Sequence, residues 1–171
     1  FDYIKRNSRE IINGNNFNIL KYLVLRSAKN KIHFVIGDEK ESNKRMALNF
    51  GHTFAHGIES SNNFTRKINH GEAVLIGMLL AIKLSVDKNI CSFKTLKEVE
   101  KIYASNKLPS DLNKYLNRKQ ILNIPNLMIN DKKNDDNKIN LILLKRIGKT
   151  TIPGKIKMSM SQVDKFLKKI N

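Results

Sequence analysis

Histidines carry the clearest chemical signal in the sequence, because three of the four lie in one short stretch. His52 and His56 are four residues apart, a spacing that places both on one face of a helix, while His70 must come from another element. Neutral imidazole is the commonest protein ligand for zinc-like divalent metals, and a catalytic zinc site typically uses three protein ligands and leaves one position open. The clustering therefore predicts a metal centre.

A single histidine is more often a structural residue than a ligand, so each of the three alone would indicate little. Arg45 and Asn49, however, precede the histidines at intervals of three or four residues on what we expect to be the same helix face. Glu59 continues this line and is placed to orient a histidine without binding the metal itself. The combination favours a functional site over three unrelated structural residues.

The composition describes a basic chain of 171 residues, 40% of them hydrophobic, which is long enough to bury a core and most consistent with one domain. Lys and Arg number 32 against 15 Asp and Glu, and the formal net charge of +17 favours anionic ligands from a phosphate ester to RNA. The lysines are spread along the chain, and no RNA-recognition motif or cysteine-rich finger is present. Nucleic acid is therefore not the expected partner, although a non-catalytic module that binds a polyanion through its charge is an alternative.

No apolar run approaches the roughly 20 residues that span a bilayer, so we expect no membrane association. The single cysteine, Cys91, cannot form an internal disulfide, which fits a reducing cytoplasm. The chain begins at Phe1 with neither an initiator methionine nor a secretory signal, and we expect its natural start to lie upstream.

Apolar periodicity predicts the elements that would position these side chains. A long helix is expected over about residues 17–36, ending at Gly37, and a second helix from Arg45 to Ser60. From His70 to Ile82 the sequence is apolar nearly all round, as in a helix buried in a bundle, and its small residues would let neighbouring helices approach closely.

Further helices are expected at about residues 92–105 and 117–129, with Pro125 as punctuation, and at 161–170 with Ser161 as its cap. The sequence pattern predicts one strand, over residues 139–144. The predicted fold class is a mainly α, multi-helix domain with a small β element.

Two segments, residues 45–59 (RMALNFGHTFAHGIE) and residues 70–78 (HGEAVLIGM), closely resemble the 3-dehydroquinate synthase family. The similarity extends back through residues 27–31 and 38–41 and forward through residues 131–133 and 147–148. In that family these motifs belong to a C-terminal, largely helical domain, and an N-terminal α/β domain binds NAD. The resemblance implies that residues 1–171 form the C-terminal metal- and substrate-binding domain and that the NAD-binding domain lies outside this sequence.

Transferred residue by residue, the resemblance also assigns roles. His52 and His70 become metal ligands, usually to Zn²⁺, with Co²⁺ as the other candidate. His56 becomes an acid/base residue beside the substrate, and Glu41 a second carboxylate that handles protons. The implied substrate-binding side chains are those of Lys31, Arg45, Asn49 and one of the pair Lys132 and Lys133. The family's third metal ligand, a glutamate in a Glu-Val-Ile-Lys-like motif, has no counterpart in this sequence.

The activity implied by the resemblance is that of a lyase of the shikimate pathway, which leads to chorismate and the aromatic amino acids. It converts 3-deoxy-D-arabino-heptulosonate 7-phosphate to 3-dehydroquinate and phosphate, with NAD reduced and regenerated in one turnover, and the enzyme is expected to be a homodimer. Residues 1–171 alone should show little or no activity. Another NAD- and metal-dependent sugar-phosphate cyclase or a polyol dehydrogenase is the nearest alternative.

Overall fold

The structure, a computed structural model, describes residues 1–41, 44–63, 67–129 and 138–170. Over these residues it is mainly α-helical with a small antiparallel β element, which confirms the predicted fold class. The seven α-helices of the described residues are α1 (Asp2–Asn13), α2 (Phe17–Ile36), α3 (His52–Ser61), α4 (His70–Asp87), α5 (Phe93–Ser105), α6 (Arg118–Ile129) and α7 (Met160–Ile170). Two 3₁₀ helices cover Lys44–Asn49 and Leu112–Lys114.

The central element is α4, which is buried along most of its length, as its nearly continuous apolar sequence predicts. On one side it packs with α3, α6 and α7 around a core whose fully buried members include Phe54, Ile58, Ile124 and Val163. On another side Leu79 and Ile82 of α4 pack against α5. None of the described helices has the length and apolar character that crossing a bilayer requires.

The small β element consists of two antiparallel pairs, because the predicted strand over residues 139–144 is split into two short strands. β1 (Ile139–Leu141) pairs with β4 (Ile156–Met158), and β2 (Leu144–Arg146) pairs with β3 (Lys149–Thr150). Between β1 and β2, Leu143 exchanges hydrogen bonds with Thr151, whose amide donates to the Leu143 carbonyl over 2.8 Å. The change of strand partner at this point is a long-range property, which the local apolar pattern does not report.

The predicted helix from Arg45 to Ser60 is wrong as a single element. Lys44–Asn49 form a 3₁₀ helix, and Gly51, with φ of 84°, turns the chain before α3 begins at His52. Arg45 and Asn49 therefore do not share a helix face with the histidines. The break is stabilised by tertiary packing of the Gly51 backbone, which apolar periodicity cannot reveal.

Three smaller differences concern the helices. The closing helix is capped by Ser159 rather than Ser161, since Ser159 and Gln162 hydrogen bond to each other's backbone amides in a capping box. Pro125 lies inside α6 instead of ending it, because its buried neighbours Ile124 and Met128 fix the helix in the core. Helix α1 was not predicted, since its sequence is mostly polar.

Candidate metal centre and anion cleft

Two glycines set the close approach of α3 and α4. A Cβ atom at Gly77 would lie 2.3 Å from the carbonyl oxygen of Gly51, and a Cβ at Gly51 would lie 2.6 Å from the backbone nitrogen of Met78. Any side chain at Gly77 would therefore force the two backbones apart. Because α3 begins directly after Gly51 and α4 begins two turns before Gly77, this contact also brings together the first residues of both helices.

Those first residues are His52 and His70, whose ring centroids lie 5.7 Å apart. His56 follows one turn along α3, with its ring centroid 6.0 Å from that of His52. The structure thus brings the three predicted imidazoles together from two helices. His52 is half-buried, whereas His56 and His70 are exposed, so the cluster opens to solvent on one side.

The environment of His52 favours a neutral ring. Burial lowers the pKa of His52 below its usual value of 6.5, and nearby His56 and His70 act in the same direction, whereas the Phe50 backbone and the Glu59 carboxylate raise it. Its Nδ1 atom is buried and makes no hydrogen bond to the described residues. A buried ring nitrogen is nearly always bonded to something, and neutral imidazole is the form that binds metals.

His70 is held by contacts within α4 and by a contact from α3. The Asn69 side chain accepts a hydrogen bond from the Glu72 backbone amide while the Glu72 carboxylate accepts one from the Asn69 amide, which fixes the start of α4. From α3, Oε1 of Glu59 lies 3.0 Å from Nδ1 of His70. The histidine is therefore placed by a capped helix start and by a carboxylate from the facing helix.

A polar network organises the segment before α3. The backbone amide of Arg45 donates to Asp38 Oδ2 over 3.1 Å, and the Arg45 guanidinium donates to the Glu39 carbonyl over 2.9 Å. Glu41, in a left-handed conformation with φ of 52°, accepts a hydrogen bond from the Asn49 amide, and its other oxygen lies 4.0 Å from Nε of Arg45. The predicted proton-handling carboxylate is thus placed between two of the predicted substrate-binding side chains.

These side chains line one cleft of about 520 Å³, between α2 and the start of α3. Its lining residues are Ser27, Asn30, Lys31, Glu41, Arg45, Leu48, Asn49 and His52. Two permanent cations, Lys31 and Arg45, face one carboxylate, so the cleft has a net positive charge that suits an anionic ligand. His52 belongs both to this cleft and to the imidazole cluster, so an ion bound there would lie at the edge of the cleft.

The donor set fits zinc or cobalt in kind but is incomplete in number. Imidazole nitrogen is a preferred ligand for both metals. Among the described residues, no three His, Cys, Asp or Glu side chains are arranged to hold a metal ion. His52 and His70 would therefore hold such an ion together with at least one ligand from elsewhere.

The structure brings most predicted site residues together, but Lys132 and Lys133 lie outside the described residues. Sequence reasoning missed three lining residues, Ser27, Asn30 and Leu48. Ser27 stands four residues before the predicted Lys31 on the same predicted helix, so helical spacing alone could have identified it. Leu48 offered no signal, because it appears as an ordinary apolar residue.

Comparisons with known proteins point to one family. The family model described as 3-dehydroquinate synthase C-terminal matches residues 1–134. The 3-dehydroquinate synthase of Pelagibacter ubique is 36% identical over 169 residues, covering 99% of this chain and 45% of that protein. The chain spans less than half the length of the curated relatives it matches.

Two solved structures share the fold of this chain. A 2-epi-5-epi-valiolone synthase from Streptomyces hygroscopicus with NAD⁺ and Zn²⁺ bound has a TM-score of 0.72 at 18% identity, covering 99% of this chain and 46% of that one. A 2-deoxy-scyllo-inosose synthase complexed with carbaglucose-6-phosphate, NAD⁺ and Co²⁺ has a TM-score of 0.59 at 21% identity, covering 75% and 35%. At these identities the likeness establishes the fold.

Proposed function

Because this chain belongs to the 3-dehydroquinate synthase family, we propose that it forms the metal- and substrate-binding part of a 3-dehydroquinate synthase. The whole enzyme would convert 3-deoxy-D-arabino-heptulosonate 7-phosphate to 3-dehydroquinate and phosphate, using NAD and a divalent metal. The observation that carries the proposal is the cleft in which Lys31, Glu41, Arg45 and Asn49 adjoin the imidazole cluster through His52. Relatives that share over a third of the sequence across the chain carry this name.

In the proposed site, His52 and His70 hold the divalent ion, Zn²⁺ or Co²⁺, with a third protein ligand from outside the described residues. When bound there, such an ion would lower the pKa of substrate hydroxyls, and NAD would supply a hydride acceptor. Burial keeps His52 in the neutral form that ligation needs.

Substrate recognition is assigned to the cations and amide of the cleft. The proposed substrate has a phosphate and a carboxylate, and both bind guanidinium and ammonium groups by charge-assisted hydrogen bonds. Arg45 is oriented by the Glu39 carbonyl and by Glu41, which reduces the ordering that binding would require. Lys31 approaches from α2, and Lys132 or Lys133 remains the predicted further cation.

Proton transfer is assigned to His56 and Glu41. His56 stands one turn beyond the proposed ligand His52 on the exposed side of the cluster, where a substrate held in the cleft could reach it. Glu41 lines the cleft and is held there by Asn49 and Arg45. Glu41 would therefore act inside the cleft, and His56 would act beside it, next to His52.

The proposal extends to the setting of the enzyme. The family resemblance implies a homodimer with NAD as cofactor, and the single cysteine fits a reducing cytoplasm. Two solved cyclases of the same fold have NAD⁺ and either Zn²⁺ or Co²⁺ bound, which supports the same cofactor set.

Phosphate release by the full-length protein with NAD and Zn²⁺ tests the proposed function. We expect turnover of 3-deoxy-D-arabino-heptulosonate 7-phosphate, and a loss of roughly 10- to 100-fold in kcat/KM for Arg45→Gln, since a hydrogen bond to a charged group contributes about 1.5–3 kcal/mol. Arg26→Gln is the matched control, because Arg26 is exposed and does not line the cleft. Turnover only of a heptulose 7-phosphate without the carboxylate would identify a different cyclase.

A further inference from the structure

Glu59 is a half-buried acid next to the imidazole cluster, and neither metal ligation nor substrate binding has used it. It lies on α3 seven residues after His52, which is two helical turns along the same face. Its side chain is only 16% exposed, whereas that of His70 is 59% exposed, and Glu59 Oε1 lies 3.0 Å from His70 Nδ1. A half-buried carboxylate of α3 therefore holds a more exposed imidazole at the start of α4.

The chemistry of this contact determines which nitrogen of His70 carries a proton. An ionised carboxylate only accepts hydrogen bonds, so the bond must be donated by Nδ1–H. A neutral imidazole with its proton on Nδ1 has its lone pair on Nε2. The contact thus selects the ring form in which Nε2 can bind a cation.

We propose that Glu59 is a positioning residue that fixes the Nδ1–H form of His70 and presents Nε2 to the metal. The metal part of this inference rests on the proposed function, whereas the selection of the ring form by Glu59 stands on the contact alone. Glu59 acts through His70 and is not itself a ligand. Removal of its charge therefore weakens metal binding without removing a coordinating atom.

The first test measures the metal-free, full-length protein with ¹⁵N-labelled histidine at about pH 8, where imidazole is neutral. Long-range ¹H–¹⁵N correlations assign the ring form of His70, with His70→Gln identifying its signals. We expect Nδ1–H in the wild type and a shift toward Nε2–H in Glu59→Gln, since the amide can donate to Nδ1. A wild-type His70 in the Nε2–H form would overturn the proposal, and this result needs no variant at Glu59.

The second test titrates Co²⁺ into the same proteins and follows its visible absorption. We expect Glu59→Gln to bind Co²⁺ about 10- to 100-fold more weakly than the wild type, as is typical when a hydrogen-bond partner of a ligating histidine is removed. Glu72→Gln is the matched control, because glutamine preserves the capping box at the start of α4 and Glu72 does not contact the His70 ring; its affinity should stay within about 3-fold.

Unchanged Co²⁺ affinity in Glu59→Gln would overturn the positioning role. Equal losses in Glu59→Gln and Glu72→Gln would also overturn it, since they would indicate a general weakening of the helix start. A wild-type protein that binds no stoichiometric Co²⁺ but has His70 in the Nδ1–H form would refute the proposed metal function and still support selection of the ring form by Glu59.

Discussion

The two walls of the cleft are held in place in different ways. The imidazoles stand at the starts of α3 and α4, and α3 buries Phe54 and Ile58 completely. Lys31 stands on α2, which has no buried residue, and its neighbours Ile32 and Ile36 are 53% and 76% exposed. Core packing of this chain therefore fixes the metal side, whereas the anion-binding side depends on polar contacts and on little apolar burial.

The contact between α3 and α4 should be the most sensitive point of the metal side. Gly77→Ala places a Cβ 2.3 Å from the Gly51 carbonyl oxygen, and we expect a loss of about 3 kcal/mol or more in unfolding free energy. Gly71→Ala in the same helix meets only the Asn69 side chain at 3.4 Å and should gain about 0.5–1 kcal/mol. Denaturant unfolding followed by circular dichroism measures both; equal stabilities would mean that the helices do not pack this closely.

A matched pair of isoleucines compares the two walls directly. Ile58→Ala removes a fully buried side chain of α3 and should cost about 2–5 kcal/mol in unfolding free energy. Ile32→Ala removes a half-exposed side chain of α2 and should change it by no more than about 0.5 kcal/mol. Urea unfolding of the 171-residue chain provides both values. A large cost at Ile32 would contradict the difference between the walls.

The hydrogen bonds of a buried serine hydroxyl in α4 should contribute less to the unfolding free energy than the packing contacts above. Ser85 Oγ of α4 donates to the Ala81 carbonyl over 2.5 Å and accepts from the Leu144 amide over 3.0 Å. Ser85→Ala leaves that buried amide unsatisfied, and we expect a loss of about 1–3 kcal/mol. Ser8→Ala on α1 is the control, because its hydroxyl makes only a 3.5 Å contact with the Lys5 carbonyl and should matter little. Thermal unfolding of the two variants should differ clearly in midpoint.

The smallest expected effect is a change in folding stability at alkaline pH. Tyr103 donates a hydrogen bond to the Leu75 carbonyl over 2.8 Å, and burial raises its pKa from 10.0 to about 12. The unfolded chain loses this proton first, so stability due to Tyr103 is complete below pH 10 and is lost as the pH rises toward about 12. Tyr103→Phe should flatten the fall of the unfolding midpoint over this range. An unchanged slope would contradict the burial of the Tyr103 hydroxyl in the folded chain.

Local patterns in the sequence predicted what depends on neighbours along the chain. The apolar run after His70 indicated a buried helix, and the spacing of His52 and His56 placed both on one face. Contacts between distant residues were not visible in those patterns. The helix break at Gly51 depends on the backbone of Met78, and the division of the strand depends on Thr151.

The convergence of His52 and His70 also depends on a contact between distant residues, because the packing of Gly51 against Gly77 produces it. Spacing alone indicated that His70 comes from another element, and family resemblance was needed to pair it with His52. The exposure of α2 could not be predicted from the sequence pattern either. Its apolar spacing predicted a helix correctly, but periodicity does not tell which partner, if any, covers each face.

Anomalous X-ray diffraction at the zinc absorption edge, from crystals of the full-length protein grown with Zn²⁺, tests the central claim most directly. The account predicts one strong peak at this site that lies about 2.0–2.1 Å from a ring nitrogen of His52 and at the same distance from a ring nitrogen of His70. A peak bound to only one of these histidines, or strong peaks only elsewhere in the molecule, would contradict it.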